Sequence, residues 1–341
     1  MYVERDQLML EIARQSSASI IKQQAHGMVA KTLVSKNDVT VVVPVLNEEH
    51  GVTLVLDELV KNGYRNILVI DGYSTDRTVE AARQHGAATV MPQHGKGKAG
   101  AIKTAIDNVS TPYLMIMDGD HTYDPADIEK FLTHANDYDE IVGIRRTENI
   151  SLPHRLGNRL ITFSFNTLLG ASISDVCSGM YLLKSKLARR LVLQSTGFSI
   201  EVEVLAQMAL HGKVTEVPIT YRSRIGNPKL STWVHGVDIL KSIFSLAKRY
   251  NPVSIFSIAS ISTAIPAAAI LGWVFFEWTT QGHLFHGAWA LAGLILMLIS
   301  AQAFAVGTIA ILMKRSEIRI ERLLRENEEM LEDRLNHEPS E

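Results

Sequence analysis

Two carboxylates follow one of the most apolar stretches of this chain. In YLMIMDGDHTYDP (residues 113–125), the apolar run 113–117 is typical of a buried strand, and Asp118 and Asp120 come directly after it with Gly119 between them. Two carboxylates on a bend after a rigid strand can approach one cation. Such oxygen ligands suit Mg²⁺ or Mn²⁺, which also bind phosphate oxygens. An ion held there would neutralise a diphosphate and make it a better leaving group.

Three further apolar runs end in polar residues of the same kind. The first ends in PVLNEE, which begins at Pro44, and the second in DGYSTD, which begins at Asp71. The third ends in the loop HGKGKAG, which contains Lys98. One such ending is usually a turn, since Asp, Gly and Ser are common turn residues. Four of them on one sheet edge indicate a binding site instead. Glu48 and Asp71 would there accept hydrogen bonds from the ribose hydroxyls or base N–H groups of a nucleoside.

The order of these runs predicts the fold that positions them. From residue 38, strand-like and helix-like segments alternate, and the strands are continuously apolar, as is typical of strands covered on both faces. The pattern predicts an α/β fold with a mostly parallel sheet, in which ligands bind at the carboxyl ends of the strands. The predicted strands are DVTVVVPVLN, RNILVIDG, AATVMPQ, YLMIMDGD and EIVGIRR.

The composition excludes several classes of protein. A net charge of −2 gives no argument for nucleic acid as a partner. The single cysteine, Cys177, excludes a disulfide framework and a cysteine-based zinc site. A length of 341 residues suits about two structural units.

Two C-terminal segments, 253–276 and 287–313, carry no charge. Each exceeds the roughly 20 residues that cross a bilayer. Lys and Arg residues flank the pair on both outer sides, whereas the loop between the segments has none. The positive-inside rule then places both flanks, and with them the soluble domain, on the cytoplasmic side of the cell membrane.

The sequence therefore predicts five parts. They are an N-terminal amphipathic helical extension (1–37), a catalytic domain (38–230), an amphipathic helix in the membrane interface (231–252), a transmembrane hairpin (253–313) and a charged cytoplasmic helical tail (314–341). A plain surface helix is the alternative for 231–252. The tail suggests self-association, so a homo-oligomer is a possible state.

Arginines follow the fifth predicted strand. Arg145 ends that strand, and Arg155 and Arg159 belong to the start of a helix. Arginine suits bidentate contacts with phosphate, so this group is a candidate site for an anionic lipid head group. Of two acids further on, Glu201 and Glu203, only one can face the same cleft from a helix, and we expect Glu201 to do so.

One loop also matches a different class of enzyme. Gly95-x-Gly97-x-x-Gly100 has the spacing of the dinucleotide fingerprint, which makes an NAD-type oxidoreductase the rival prediction. The loop follows the third strand, however, and not the first, and it contains Lys96 and Lys98. A nicotinamide enzyme also gives no reason for the other polar strand ends or for the membrane hairpin.

Taken together, the motifs resemble a known family. VVVPVLNEE, VIDGYSTDRT, GKGKAGAIKTAI, MDGDHTYDP, GIRR and DVCSGMYLLKS occur in the order seen in family 2 glycosyltransferases with a GT-A fold. With two C-terminal spans, the chain resembles the polyprenyl-phosphate glycosyltransferases, for which dolichyl-phosphate mannose synthase is the type. Two residues depart from the family pattern: Gly72 stands where a second acid is common, and Thr122 where a metal-binding Gln is common.

The resemblance implies a single inverting hexose transfer from a UDP- or GDP-linked sugar to a polyprenyl (dolichyl) phosphate, giving a lipid-phosphate sugar for glycosylation. The implied donor-binding residues are Pro44, Leu46, Asn47, Glu48, Ile70, Asp71, Lys98, Asp118, Gly119 and Asp120, with Mg²⁺ or Mn²⁺ on Asp118 and Asp120. The implied acceptor-binding residues are Arg145, Arg155, Asn158, Ser178 and Glu201. The implied catalytic residues are Asp120, Arg145, Arg155 and Arg159. The alternatives are transfer to another membrane lipid and a membrane-anchored module that only senses sugar nucleotides.

Overall fold

A computed structural model of the chain describes residues 34–145, 152–195, 197, 199–225, 232–282 and 286–337. The helical extension expected over 1–37 lies outside these residues, except for its last four. The tail expected over 314–341 is described as far as His337.

The strands form one seven-stranded sheet in the order β3-β2-β1-β4-β6-β5-β7. They are β1 Val39–Val45, β2 Ile67–Asp71, β3 Thr89–Pro92, β4 Tyr113–Met117, β5 Glu140–Arg145, β6 Met180–Lys184 and β7 Val214–Ile219. The strand pairs are parallel except that β6 runs against both of its neighbours, β4 and β5. The expectation of a mostly parallel α/β sheet is confirmed.

Helices cover both faces of this sheet. The helices of the soluble domain are α1 Glu49–Lys61, α2 Thr78–His85, α3 Gly97–Asn108, α4 Ile128–Leu132, α5 Leu152–Leu169, α6 Ser185–Ala188, α7 Ile200–His211 and α8 Thr232–Tyr250. Two longer helices, α9 Pro252–Gln281 and α10 Gly287–His337, follow them in the chain.

The core explains why the strands are apolar throughout. Along β4, Leu114 and Ile116 belong to one buried cluster, whereas Met115 and Met117 belong to another on the opposite face of the sheet. Successive strand residues point to opposite faces, so a strand that is covered twice has no polar positions in its middle. The polar residues are thereby confined to the strand ends.

The reversed strand β6 places the segment that contains Ser178 beside the ends of β4 and β5. Because β6 runs against its neighbours, it enters the sheet at the edge where β4 and β5 leave it. The residues that precede it, from Asp175 to Gly179, therefore lie next to the ends of those two strands. Neither β6 nor β7 was among the strands predicted from the sequence.

Two helices are long and apolar enough to cross a membrane. They are α9, over Pro252–Gln281, and the first part of α10, over Gly287–Met313, and only 11% of the most apolar window of each is buried within the protein. Ser260 and Ser300 hydrogen-bond each other across this pair. The core helix of a soluble protein would be mostly buried. α10 continues without interruption to His337.

Candidate active site

The turn that carries Asp118 and Asp120 is held by close backbone contacts. A side chain on Gly119 would place its Cβ 2.5 Å from Val45 Cγ1. A Cβ on Gly179 would lie 2.9 Å from Cγ of Asp118 and would overlap its Oδ2 atom. Since only glycine avoids both contacts, the segment before β6 and the turn after β4 fit together around the Asp118 carboxylate.

Lys98 joins this turn to two helices. It lies in the first turn of α3, and its Nζ is 2.5 Å from Oδ1 of Asp118 and in contact with the carboxylate of Glu201 in the first turn of α7. Burial disfavours the charge on Lys98, but Asp118 and Glu201 raise its pKa well above the usual value. Burial raises the pKa of Asp118 to about 6, and the charge of Lys98 opposes that shift. Glu203 lies elsewhere and accepts hydrogen bonds from the backbone of Gln194 and Ser195.

Asp120 contacts a second basic side chain. Arg224 donates from Nη1 to Asp120 Oδ2 at 2.7 Å and also contacts the carboxylate of Glu48. The other oxygen of Asp120 accepts from the hydroxyl of Thr122 at 2.6 Å and from its backbone N–H at 3.1 Å. Thr122, which stands where a metal-binding Gln is common in the family, therefore orients Asp120.

The acidic turn fits a hard divalent cation only in part. Asp118 and Asp120 supply carboxylate oxygens, the donors that Mg²⁺ and Mn²⁺ prefer. Among the described residues, no group of three or more His, Cys, Asp or Glu side chains is arranged to hold an ion. Diphosphate oxygens and water would have to complete the coordination of an ion on these two aspartates.

The ends of β1 and β2 form a connected rim. The Asn47 side chain accepts from the backbone N–H of Thr75 at 2.7 Å, and the backbone N–H of Asn47 donates to the Ser74 hydroxyl at 2.8 Å. Asp71 accepts from the backbone N–H groups of Tyr73 (3.0 Å) and Ser74 (3.2 Å). These bonds fix the loop on which a nucleoside would rest.

The implied nucleoside residues differ in their exposure. Pro44 is half-buried and Leu46 is 41% exposed, so both can contact a ligand. Ile70 is fully buried in the core, so its side chain cannot touch a nucleoside and instead supports the strand end. Sequence reasoning missed Tyr73, whose exposed ring is fixed by a 2.9 Å hydrogen bond from its hydroxyl to the carbonyl of Gln93. Its aromatic type, two residues after Asp71, was the available signal.

Arg145 lies beside the acidic turn in a rigid setting. Its Nε and Nη2 each donate to Asp175 at 2.7 Å, and Asn158 donates to the same carboxylate at 3.1 Å. Burial would raise the pKa of Asp175, but Arg145 lowers it below its usual range. The guanidinium also lies over the Tyr221 ring, 5.4 Å from the centroid. A guanidinium has five N–H donors, of which Asp175 takes two and the Tyr221 side chain a further one, which leaves at most two for an anion.

The remaining acceptor residues are spread more widely. Ser178 is buried just before β6, and Glu201 faces Lys98. On α5, Arg155 is half-buried one turn before Asn158, whereas Arg159 is exposed. The structure thus brings Arg145 and Asn158 together around Asp175 and leaves Arg159 on the outer side of the helix.

Sequence reasoning also missed the segment after β7. This segment, Tyr221-Arg222-Ser223-Arg224, contributes Arg224 to the acidic turn and the Tyr221 ring to Arg145. Its signal in the sequence was the alternating basic pattern YRSR directly after an apolar strand. β7 and β4 are not neighbours in the sheet; the bridge between Tyr123 and Tyr221 and the hydrogen bond from the Arg222 N–H to the Thr122 carbonyl bring this strand end next to Asp120.

Comparisons with known proteins agree with this geometry. Residues 40–192 match the family described as Glycosyl transferase family 2. The chain is 30% identical to glycosyltransferase AglJ of Haloferax volcanii over 281 residues, which cover 80% of this chain and 92% of that protein. It is 34% identical to a dolichyl-phosphate hexose transferase of the same organism over 215 residues, 61% of this chain and 92% of that protein.

A solved structure supports the fold alone. Glucosyl-3-phosphoglycerate synthase from Mycobacterium tuberculosis, in complex with Mn²⁺ and UDP-glucose, superimposes with a TM-score of 0.52 at 18% identity, over 62% of this chain and 79% of that one. The two relatives from Haloferax volcanii are matched over nearly their whole length. The chain is therefore a member of glycosyltransferase family 2.

Proposed function

We propose that this glycosyltransferase moves a single hexose from a UDP- or GDP-linked sugar to a polyprenyl (dolichyl) phosphate at the cytoplasmic face of the cell membrane. The observation that carries the proposal is that Tyr221 links two charged centres at one sheet edge: the guanidinium of Arg145 lies over its ring, and Asp120 and Asp118 are close enough to add to the raised pKa that burial gives this tyrosine. The acidic turn suits a leaving diphosphate through a bound metal ion, and Arg145 suits an attacking phosphate. The relative described as a dolichyl-phosphate hexose transferase supports the same acceptor.

The donor would bind across the ends of β1, β2 and β4. The rim at Asn47 and Asp71 offers acceptors for the nucleoside, and the diphosphate would lie over the acidic turn. Mg²⁺ or Mn²⁺ on Asp118 and Asp120 would supply charge neutralisation for the leaving diphosphate. Lys98 and Arg224 are in place to donate to the same phosphate oxygens, since both already contact the acidic turn.

The acceptor would be held by Arg145, assisted by the half-buried Arg155 or, from the exposed side of α5, by Arg159. A phosphate monoester has a second pKa near 6, so it is already a nucleophile at neutral pH and needs no strong base. Its oxygen forms a bond to the anomeric carbon as the bond from that carbon to the nucleoside diphosphate breaks, so the configuration inverts. The protein then contributes position and charge stabilisation.

The surface around α5 supports a location at the membrane. α5 ends beside the first span, since Asn251 donates a 3.1 Å hydrogen bond to the carbonyl of Leu168. One face of α5 carries large apolar side chains at intervals of three or four residues, and each of them is 54–69% exposed. These side chains are Leu152, Leu156, Leu160 and Phe163.

Helix α8 presents a second apolar surface in the same region. It buries Ile243 and Ala247 against the domain, while Val237 and Phe244 are exposed. A soluble protein rarely exposes so many large apolar side chains together, so the exposed faces of α5 and α8 would lie in the membrane interface. The arginines of α5 would then meet the lipid phosphate at the level of the head groups.

A donor panel tests the proposal. Membranes containing the full chain are supplied with dolichyl phosphate, Mn²⁺ or Mg²⁺, and one radiolabelled UDP- or GDP-sugar at a time. We expect label in the organic phase with one donor, and no label for Asp118→Asn or Asp120→Asn. Label that appears on a lipid without a phosphate, such as diacylglycerol, would instead assign the alternative acceptor. Binding of a sugar nucleotide without any transfer would indicate a sensing module.

A further inference from the structure

We propose that Arg222, which lies outside the site, is a positioning residue that clamps the segment after β7 onto the acidic turn. The inference rests on the proposed function, because it assumes that this site binds a nucleoside diphosphate. Arg222 belongs to a cluster of four charged or titratable side chains, Glu58, His121, Asp124 and Arg222. We call this cluster the clamp.

The clamp joins three separate elements through one guanidinium. Nη1 of Arg222 donates to both oxygens of Glu58 on α1, at 2.9 and 2.8 Å, and lies 3.1 Å from Nε2 of His121. Nη2 of Arg222 lies 2.7 Å from Oδ2 of Asp124. His121 also pairs with Glu58 at 3.1 Å. The planar fork of arginine can hold two carboxylates at once, which a lysine at this position could not reproduce.

Backbone contacts continue the same connection. The N–H of Arg222 donates to the carbonyl of Thr122 at 2.7 Å, and Tyr123 and Tyr221 form an isolated antiparallel bridge. Their rings meet edge to face with 5.4 Å between centroids. The segment after β7 is therefore paired along its length with the residues that follow Asp120.

This pairing sets the place of groups that do face the site. Arg224 lies two residues beyond the clamp and contacts Asp120, while Tyr221 lies one residue before it and contacts Arg145. His121 has a φ of 63°, a left-handed conformation that is uncommon for a residue other than glycine. Its ring is held by Glu58 and Arg222, so the clamp also fixes the unusual turn directly after Asp120.

A purely structural ion pair would act differently. Lys36 forms a 2.5 Å pair with Glu129 and donates to the Asn62 carbonyl at 2.8 Å, near the start of β1 and hence at the opposite edge of the sheet. Both Lys36 and Arg222 tie separate elements of the domain together. Only Arg222 is connected through the backbone to a side chain at the acidic turn, so only its loss should change how a nucleotide binds.

A double-mutant cycle tests this difference. The dissociation constant of UDP or GDP, whichever the donor panel selects, is measured with Mn²⁺ by calorimetry on the full chain in detergent. We expect Arg222→Met to weaken binding about tenfold, the equivalent of about 1.4 kcal/mol. We expect Arg224→Met to weaken binding at least as much. Adding Arg222→Met to Arg224→Met should then cost less than about twofold, because the clamp acts through Arg224.

The controls separate the possible results. Lys36→Met should lower the melting temperature without changing nucleotide binding. Glu58→Gln removes a charge from the clamp while keeping the side-chain shape, and it should weaken nucleotide binding as Arg222→Met does. It replaces Arg222→Met as the test if that variant folds poorly. Equal losses in both Arg224 backgrounds, or a lower melting temperature with unchanged binding, would overturn the positioning role. If neither UDP nor GDP binds to the unmodified chain, the proposed function fails as well.

Discussion

Nζ of Lys98 lies 2.5 Å from Oδ1 of Asp118, on the side of the acidic turn that faces α7. A divalent ion on Asp118 would compete with this ammonium group for the same carboxylate. Lys98 would then be released toward the diphosphate that the ion accompanies. The ion pair is therefore the resting arrangement of two groups that we expect to work together in turnover.

Replacing Lys98 should affect turnover much more than replacing its neighbour. We expect Lys98→Met to lower kcat by about 100-fold or more, the loss typical of one electrostatic donor in an active site. Lys96 lies in the same loop but is exposed, and Lys96→Met should stay within about threefold of the unmodified enzyme. The measurement is the rate of label transfer to dolichyl phosphate. Equal losses in the two variants would point to a general effect of loop charge.

Gly179 should tolerate no side chain. A Cβ there would overlap the Asp118 carboxylate, so Gly179→Ala has to displace one of the proposed metal ligands. We expect transfer to be lost while the protein remains folded, as judged by circular dichroism. The matched control is Gly236→Ala on α8, where a Cβ meets no atom within 4 Å. That variant should retain activity. Full activity of Gly179→Ala would show that the position of the Asp118 carboxylate set by this contact is not needed for transfer.

Arg145 should be needed for the acceptor and not for the donor. Arg145→Ala would leave Asp175 buried without its main partner, which costs about 3–5 kcal/mol in comparable buried pairs. Arg145→Lys keeps a positive charge and is the better test. We expect it to lower kcat/KM for dolichyl phosphate by about 100-fold, since the bidentate geometry is lost, with nucleotide binding unchanged. Arg83→Lys, at an exposed position on α2, is the control. A fully active Arg145→Lys enzyme would argue for an acceptor without a phosphate.

The buried carboxyl group of Glu140 should make the stability of the protein depend on pH. It is buried at the start of β5, its Oε2 has no hydrogen-bond partner among the described residues, and burial raises its pKa to about 8. The unfolded chain releases this proton near pH 4.5, whereas the folded chain keeps it until about pH 8. The folded state thus binds more protons in this window. The contribution of Glu140 to stability is therefore complete below pH 4.5 and is lost as the pH rises to 8.

Glu140→Gln should remove this dependence. We expect its melting temperature to exceed that of the unmodified protein above pH 8, with the difference shrinking toward pH 5. The measurement is a series of melting curves in detergent from pH 5 to pH 9. Curves for the two proteins that run parallel across this range would show that Glu140 is not the responsible group.

The sequence predicted the strand ends because burial leaves a strong local pattern. In β1, β2 and β4, apolar residues fill both faces, so the first polar residue marks the edge where ligands bind. Asp118 and Asp120 could be found in this way. The pair formed by Lys98 and Glu201 could not, because these residues are far apart in the chain and meet only after α3 and α7 pack.

The same limit applies to the reversed strand and to the clamp. β6 is a short apolar run, and its direction depends on its pairing with β4 and β5, which no local pattern encodes. Arg222 and Arg224 look like ordinary surface charges until the bridge between Tyr123 and Tyr221 places them beside the residues that follow Asp120. Ile70 shows the opposite error, since it matches a motif but is buried beneath the site that the motif describes.

The unbroken course of α10 couples its two halves mechanically. Beyond the apolar part that ends at Met313, the helix continues to His337, a distance of roughly 36 Å at 1.5 Å per residue. If the apolar part spans a bilayer, as we propose, a stiff rod of that length would turn small reorientations at the lipid boundary into large ones at its tip. A change of about 10° in tilt would carry the tip through about 6 Å, so bilayer thickness, which influences helix tilt, would set how far the C-terminal end swings.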